Sequence, residues 1–205
     1  MIRLATTVAV ASLMALAACN APEPTETPAA EAPATEAPAA PADPNALTAE
    51  GFGPLRIGMT AAEVEGALGG DSDPNAVGGP EPESCDQWRP ARAPEGLLVM
   101  IQDGVLTRIS VSSPATLKTD RGFGVGDQAA AIKTAYGDQI IAQPHKYSPA
   151  PAEDLFVWST GCPADAETYV QDAAARGVRY EIGDDGTVRI IHVGGPSIQL
   201  VEGCL

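Results

Sequence analysis

A fifteen-residue stretch of this chain recurs at a fixed distance. Leu55–Gly69 aligns with Phe123–Gly137 at a constant offset of 68 residues. Gly58/Gly126, Ala61/Ala129, Ala62/Ala130, Ala67/Ala135 and Gly69/Gly137 are identical, and Ile57/Val125, Val64/Ile132 and Leu68/Tyr136 keep apolar character. Self-similarity at a long period restricts architecture more than any local propensity, because a structure has to suit both copies. The expectation is a duplicated unit, repeat one about 50–117 and repeat two about 118–205.

Each copy reads as a short helix. Thr60 is a good N-cap, Glu63 three residues on completes a capping box, and Met59 and Val64 are placed for a hydrophobic staple. Val64, Ala67 and Leu68 supply the apolar stripe, and Gly69 the stop. In the second copy the corresponding roles fall to Asp127 as cap, Ile132, Ala135 and Tyr136 as stripe, and Gly137 as stop. Helices this short need tertiary packing for most of their stability.

Strand patterns follow each helix. In copy one they cover about Ser84–Arg89, Leu97–Gln102 and Val105–Ser112, with Asp103-Gly104 as a two-residue hairpin signal. Val105, Thr107, Ile109 and Val111 alternate with Arg108 and Ser110, which predicts one core face and one wet face. In copy two the strands are about Leu155–Ser159, Val178–Ile182, Thr187–Val193 and Ser197–Val201, with turns at Asp184-Asp185-Gly186 and Gly194-Gly195-Pro196. The alanine-rich segment Pro163–Arg176 has no counterpart in copy one and is a candidate for a helical turn. The fold class is α+β: two tandem repeats, each a short helix followed by an antiparallel sheet, with helices on one side.

The signature running from Ile57 through Gly58-Met59-Thr60 and Glu63-Val64 to Leu68-Gly69 resembles the helix of the β-lactamase-inhibitor-protein-like and BamE (SmpA/OmlA)-like envelope proteins. The likeness covers most of residues 50–205 as a repeat pattern and is motif-specific at the first helix. It implies helix-plus-sheet units and a protein-binding role, either inhibitory or as an assembly accessory, and it rests on fold analogy. The segments Pro144–Tyr147 (PHKY) and Val201–Cys204 (VEGC) further resemble a group of bacterial lipoproteins to which no activity is attached.

The N-terminus explains where such a domain sits. Arg3 precedes an uncharged stretch, Leu4–Ala18, too short to span a bilayer comfortably and suited to a signal peptide, residues 1–18. Leu16-Ala17-Ala18-Cys19 resembles a lipobox, which implies diacylglyceryl and acyl (palmitate-type) modification of Cys19 and anchorage by several chains. Asn20 in place of aspartate after that cysteine implies sorting to the outer membrane, facing the periplasm. Residues 20–45 contain seven prolines and five acidic residues, and no Lys, Arg, Val, Ile, Leu or aromatic residue. Nothing there can offset the entropy of ordering, so 19–45 reads as a lipidated cysteine and disordered tether, reaching about 80 Å if extended. The remaining 46–205 is the tandem-repeat α+β domain.

The net charge of −15 disfavours nucleic acid as a partner, since phosphate binding needs a basic face. The expected partners are the membrane, through the lipid, and an unidentified envelope protein. With Cys19 lipidated, Cys85, Cys162 and Cys204 remain, and an oxidising compartment favours one disulfide among three possible pairs. The likeness to the lipoprotein group implies Cys85–Cys204, worth about 4–5 kcal/mol for so long a loop; Cys162–Cys204 is the alternative.

No cofactor, metal or catalytic residue is expected. His145 and His192 share no ligand spacing. His145 reads as a loop residue and His192 as a sheet residue; Asp184-Asp185 is accounted for as turn chemistry. Trp88, Arg89, Tyr147, Trp158 and Tyr180 are the candidate partner-binding residues, with Arg179 adjacent, because aromatics beside arginine anchor interfaces; core packing is the competing account of the tryptophans. The resulting expectation is a non-enzymatic binding module displayed on a stalk. The alternatives are an envelope enzyme acting on cell-wall material and a structural spacer.

Overall fold

A computed structural model describes residues 43–75 and 78–204. The expected signal peptide, the expected lipidation site Cys19 and the expected tether up to residue 42 lie outside the described residues. A two-stranded hairpin, β1 (Gly51–Phe52) and β2 (Leu55–Arg56), leads into helix α1 (Ala61–Leu68). Strands β3 (Cys85–Trp88), β4 (Leu97–Gln102) and β5 (Val105–Ser112) follow. Helix α2 (Ala129–Tyr136) then precedes β6 (Ile140–Pro144), β7 (Glu153–Thr160), β8 (Arg176–Ile182) and β9 (Val188–Gly194). The protein is α+β, with one antiparallel sheet of seven strands in the order β3-β4-β5-β9-β8-β7-β6.

The two runs of strands do not form separate sheets. The last strand of each, β5 and β9, pair with each other, with Ser110 opposite His192 at the middle of the register. Joining there removes two open edges, which would otherwise be templates for aggregation.

Each helix hangs from the hairpin of its own half. Around α1, Gly58 N donates to Leu106 O (2.8 Å), Leu106 N to Met59 O (2.7 Å) and Ala61 N to Gly104 O (2.9 Å). Around α2, Gly126 N donates to Val188 O (2.9 Å), Val188 N to Asp127 O (2.9 Å) and Ala129 N to Gly186 O (3.0 Å). Gly58 and Gly126 both take positive φ, 97° and 89°, at the bend before the helix. The β4–β5 hairpin is tight because Asp103 (φ 49°) and Gly104 (φ 77°) adopt the left-handed pair that a two-residue turn requires.

The helix starts differ. Thr60 Oγ1 accepts from Glu63 N, and Glu63 Oε2 accepts from Thr60 N at 2.8 Å, so the capping box is present. In α2 the N-cap is Gln128, which makes no side-chain cap bond. Asp127 does not cap, because its carboxylate is taken by Gly124 N (2.7 Å) and Lys118 Nζ (3.2 Å). The buried stripe of α2 is Ala129, Ile132 and Tyr136, while Ala135 faces out.

Both helices pack on one sheet face. Val64, Ile132 and Tyr136 meet Val99, Ile109, Leu155, Tyr180, Ile191 and Val193, all buried. A register shift between Met100 and Ile101 turns Leu106 inward, so the inner set of β5 is Leu106, Ile109 and Val111 and does not include Val105 or Thr107.

Two further expectations are corrected, and one strand is added to those expected. Ser197–Val201 is not a strand: Pro196–Gln199 is a 3-10 turn, and residues 195–204 run as a strap across the second sheet face. Both edges of β9 are already paired, with β5 and β8, so no ladder was open to those residues. Residues 163–175 hold no helical turn; Asp165 Oδ1 accepts from Glu167 N, Thr168 N and Thr168 Oγ1, closing local turns instead. Finally, β6 was not foreseen. It ends in Pro144 and lies at the sheet edge, where a missing N–H costs no ladder bond.

Candidate functional site

The second sheet face was expected to be wet, yet its central residues are buried. Arg108, Ser110, Asp154, Arg179 and His192 are all buried, and Arg179 has no exposed surface. The strap provides the cover. Arg108 Nη1 donates to Ser197 O (3.1 Å) and Leu200 O (2.9 Å), and Arg179 Nη1 to Ile198 O (3.2 Å) and Leu200 O (3.4 Å). Ser197 Oγ donates to Thr107 O (2.9 Å), and Gln199 exchanges bonds with the Val170 backbone. Ile198 enters a small apolar cluster with Phe156, Trp158, Val170 and Ala175, in which the Phe156 and Trp158 rings stack.

The far end of the strap is covalently fixed. Cys204 is bonded to Cys85 on β3, which ties the last described residue to the opposite edge strand. The Cys162–Cys204 alternative is thereby excluded.

The charges on this face are closely matched. Arg179 Nε donates to Asp154 Oδ1 (2.9 Å) and Arg179 Nη2 to Glu181 Oε2 (3.3 Å). Arg108 is sequestered further along, with Gln87 Oε1 as a third acceptor at 3.2 Å; its Nε has no hydrogen-bond partner among the described residues. Burial, and repulsion from Arg179, bring the Arg108 guanidinium down to about 10, so it stays charged at neutral pH. Burial also raises the Asp154 carboxyl, and the Arg179 charge offsets only part of that. Burial alone would raise Glu181 too, but its contacts with His192, Arg179 and His145 outweigh burial and hold it below its ordinary value.

A serine, a histidine and a glutamate line up across three adjacent strands. Ser110 Oγ lies 2.8 Å from His192 Nδ1, and His192 Nε2 lies 3.7 Å from Glu181 Oε2. A proton on Nε2 faces the carboxylate and leaves Nδ1 to accept from Ser110; the other tautomer would set a lone pair against a negative charge. Burial pushes the His192 imidazole down to about 3, with the Arg108 and Arg179 charges adding to it against the pull of Glu181.

This line has the residue types of a hydrolytic triad but poor means to act as one. A base held near 3 has little affinity for the serine proton at neutral pH. Ser110 sits mid-strand between β4 and β9, so its neighbouring N–H groups belong to ladders rather than to an oxyanion hole. Two surface clefts, one at Ser72, Pro90 and Ser112 and one at Asp43, Leu117 and Gly122, include none of the three residues.

The partner-binding candidates do not converge. Tyr180 is fully buried in the helix-side core, where its hydroxyl meets those of Tyr136 (3.0 Å) and Thr119 (3.2 Å). Trp158 is buried on the opposite face, in the strap cluster. Trp88, on edge strand β3, is half-buried, with Nε1 donating to Asp86 Oδ2 (2.8 Å). Arg89 is exposed beside it, its backbone N–H donating to Asp71 Oδ1. Tyr147 alone among the aromatic candidates is well exposed, at 59%.

Tyr147 rides on a loop between β6 and β7. His145 Nδ1 accepts from both Tyr147 N and Ser148 N at 3.1 Å, while Nε2 lies 3.6 Å from Glu181 Oε1. Lys146 sits 5.2 Å from the Tyr147 ring centre and pairs with Glu202 of the strap at 3.5 Å. The buried network therefore fixes the base of the loop and leaves the phenol ring outside.

Sequence reasoning missed Arg108, Asp154, Arg179 and Glu181 as one group. A usable signal existed: Arg179 and Glu181 flank Tyr180 on one strand, and His192 follows on the next, all with the alternation of a single face. No protein-family model matches this chain, and no curated protein or solved structure matches it.

Proposed function

We propose that this protein is a lipid-anchored, non-catalytic protein-binding module made of two duplicated helix-plus-sheet units, and that it meets its partner through the Tyr147 loop. The observation that carries the reading is the contrast between an exposed aromatic tip and a charged face that is turned inward. An aromatic ring on a pre-ordered loop loses little entropy on contact, which is the property of an interface anchor. The duplication is supported by the matching backbone bonds that attach α1 and α2 to their hairpins, together with the five identities between Leu55–Gly69 and Phe123–Gly137. Anchorage through Cys19, the stalk function of 20–45 and an outer-membrane position facing the periplasm rest on the lipobox, the tether composition and Asn20.

The test is a photoreactive amino acid placed at position 147 of the full chain in intact cells. The reading expects one discrete adduct, absent when the same probe is placed at exposed Asp184, and suppressed by co-expressed wild-type chain but not by co-expressed Tyr147→Ala chain. Adducts from both positions, or from neither, would contradict it.

The Ser110–His192–Glu181 line favours a second reading, a serine hydrolase. That reading expects Ser110 to react with a fluorophosphonate probe in the folded protein. The binding reading expects no labelling that Ser110→Ala removes.

A further inference from the structure

We propose that the strap over the second sheet face is an acid-operated latch, with His192 as its trigger. At neutral pH the cluster beneath the strap holds two guanidiniums, Arg108 and Arg179, against two carboxylates, Asp154 and Glu181. A proton on His192 adds a third cation in a largely buried space. The Ser110 contact survives, because the hydroxyl can turn and accept from Nδ1. What does not survive is the balance: the new charge faces both guanidiniums, and they are the groups that hold the strap by its carbonyls.

The strap is the layer that yields. His192 is locked between β5 and β8 by ladders on both sides, so the sheet cannot open around it locally. Within the strap, the backbone bonds of Ile198 N to Gly195 O and Leu200 N to Ser197 O are internal turns, and the backbone bond to the sheet, Gly195 N to Thr107 O, lies at its β9 end. Its two ends are fixed, by continuity with β9 and by the Cys85–Cys204 bond, so its middle can lift and reseat without release. Lifting admits water to the cluster and withdraws Ile198 from the Phe156–Trp158 stack.

Every charged or titratable group packed around His192 enters the balance. Arg108 faces it from β5, Arg179 and Glu181 from β8, and Asp154 joins through Arg179 from β7; His145 reaches Glu181 from the loop. The strap contributes carbonyls there, since Glu202 is turned toward Lys146. His192 sits far below its ordinary value, the direction in which the closed state excludes the proton and the open state takes it up. The acid response therefore begins near pH 6.5 and grows as pH falls. Asp154, raised by burial, acts in the opposite sense, and Glu181 enters only below its own ordinary range, so an acid response that disappears in His192→Gln belongs to that histidine.

Hydrogen exchange on the full, oxidised chain tests this. The protection factor of the Val170 amide, which donates to Gln199 Oε1 of the strap, should fall about fifteenfold between pH 6.5 and 5, one proton of ordinary histidine affinity being linked to opening. The amides of Val178 and Tyr180 should hold theirs over the same range, and Trp158 emission should shift to the red. His192→Gln should flatten the response. Strap protection that ignores pH, strap and sheet amides that fail together, or an acid response that persists in His192→Gln would each overturn the latch. Should that variant not fold, the ring-proton titration of His192 in the wild-type chain decides. A midpoint well below the ordinary histidine value supports the trigger, and one at or above it refutes it.

Discussion

On one face of the seven-stranded sheet, α1 and α2 cover Val99, Ile109, Leu155, Ile191 and Val193. On the other, ten residues of strap cover Arg108, Arg179, His192 and Asp154. The first face is apolar, and its burial is favourable in itself. The second is charged, and its burial is tolerable only because each guanidinium has acceptors and Arg179 has two carboxylates. A helix needs an apolar stripe; a strap of non-repetitive backbone offers carbonyls, and arginine side chains from the sheet can use them. The two covers thus match the chemistry beneath them.

The comparison can be broken at several points. Arg179→Met should cost about 3–5 kcal/mol, measured by urea unfolding at pH 7, because Asp154 and Glu181 would be left buried without a cation. Ile132→Ala, in the apolar layer, should cost about 2–5 kcal/mol through its cavity, with no dependence on salt or pH. Reducing or removing Cys85–Cys204 should lower stability by roughly 2–5 kcal/mol, and the loss should appear first in the strap. Thr60→Ala should cost about 1 kcal/mol by removing the α1 cap, whereas Gln128→Ala in α2 should be close to neutral. Tyr147→Ala should leave unfolding unchanged, because its ring contributes no core contact.

Stability against pH also separates the faces. His192 is depressed in the folded state, so its contribution is complete above pH 6.5 and is lost as pH falls toward about 3. The slope should not exceed about 1.4 kcal/mol per pH unit.

The helix-side layer was legible in the sequence because periodicity and caps are local. Strands Leu97–Gln102 and Val105–Ser112, helix α1 with its capping box, and the Asp103-Gly104 turn all follow from spacing within a few residues. The strap was not legible, since Ser197-Ile198-Gln199-Leu200 alternates like a strand and only the prior pairing of β9 on both edges forbids it. The same blindness made Arg108 and Ser110 look solvated, when a segment some 90 residues later covers them. Aromatic content marked Trp158 and Tyr180 as binding candidates, but alternation along β7 and β8 puts one in each core. The exposure of Tyr147 depends on His145 holding its loop, a contact that the segment Pro144–Tyr147 hints at only by proximity.

The functional reading depends on the buried charges being structural rather than catalytic, and unfolding free energies of two variants address that directly. Arg179→Met alone should lose about 3–5 kcal/mol, and the triple change Arg179→Met, Asp154→Leu, Glu181→Met should recover most of it, since an apolar set of similar volume can replace a compensated ionic one. A single variant as stable as the wild type would mean that the cluster does not hold the strap, and the account of the second face would be wrong.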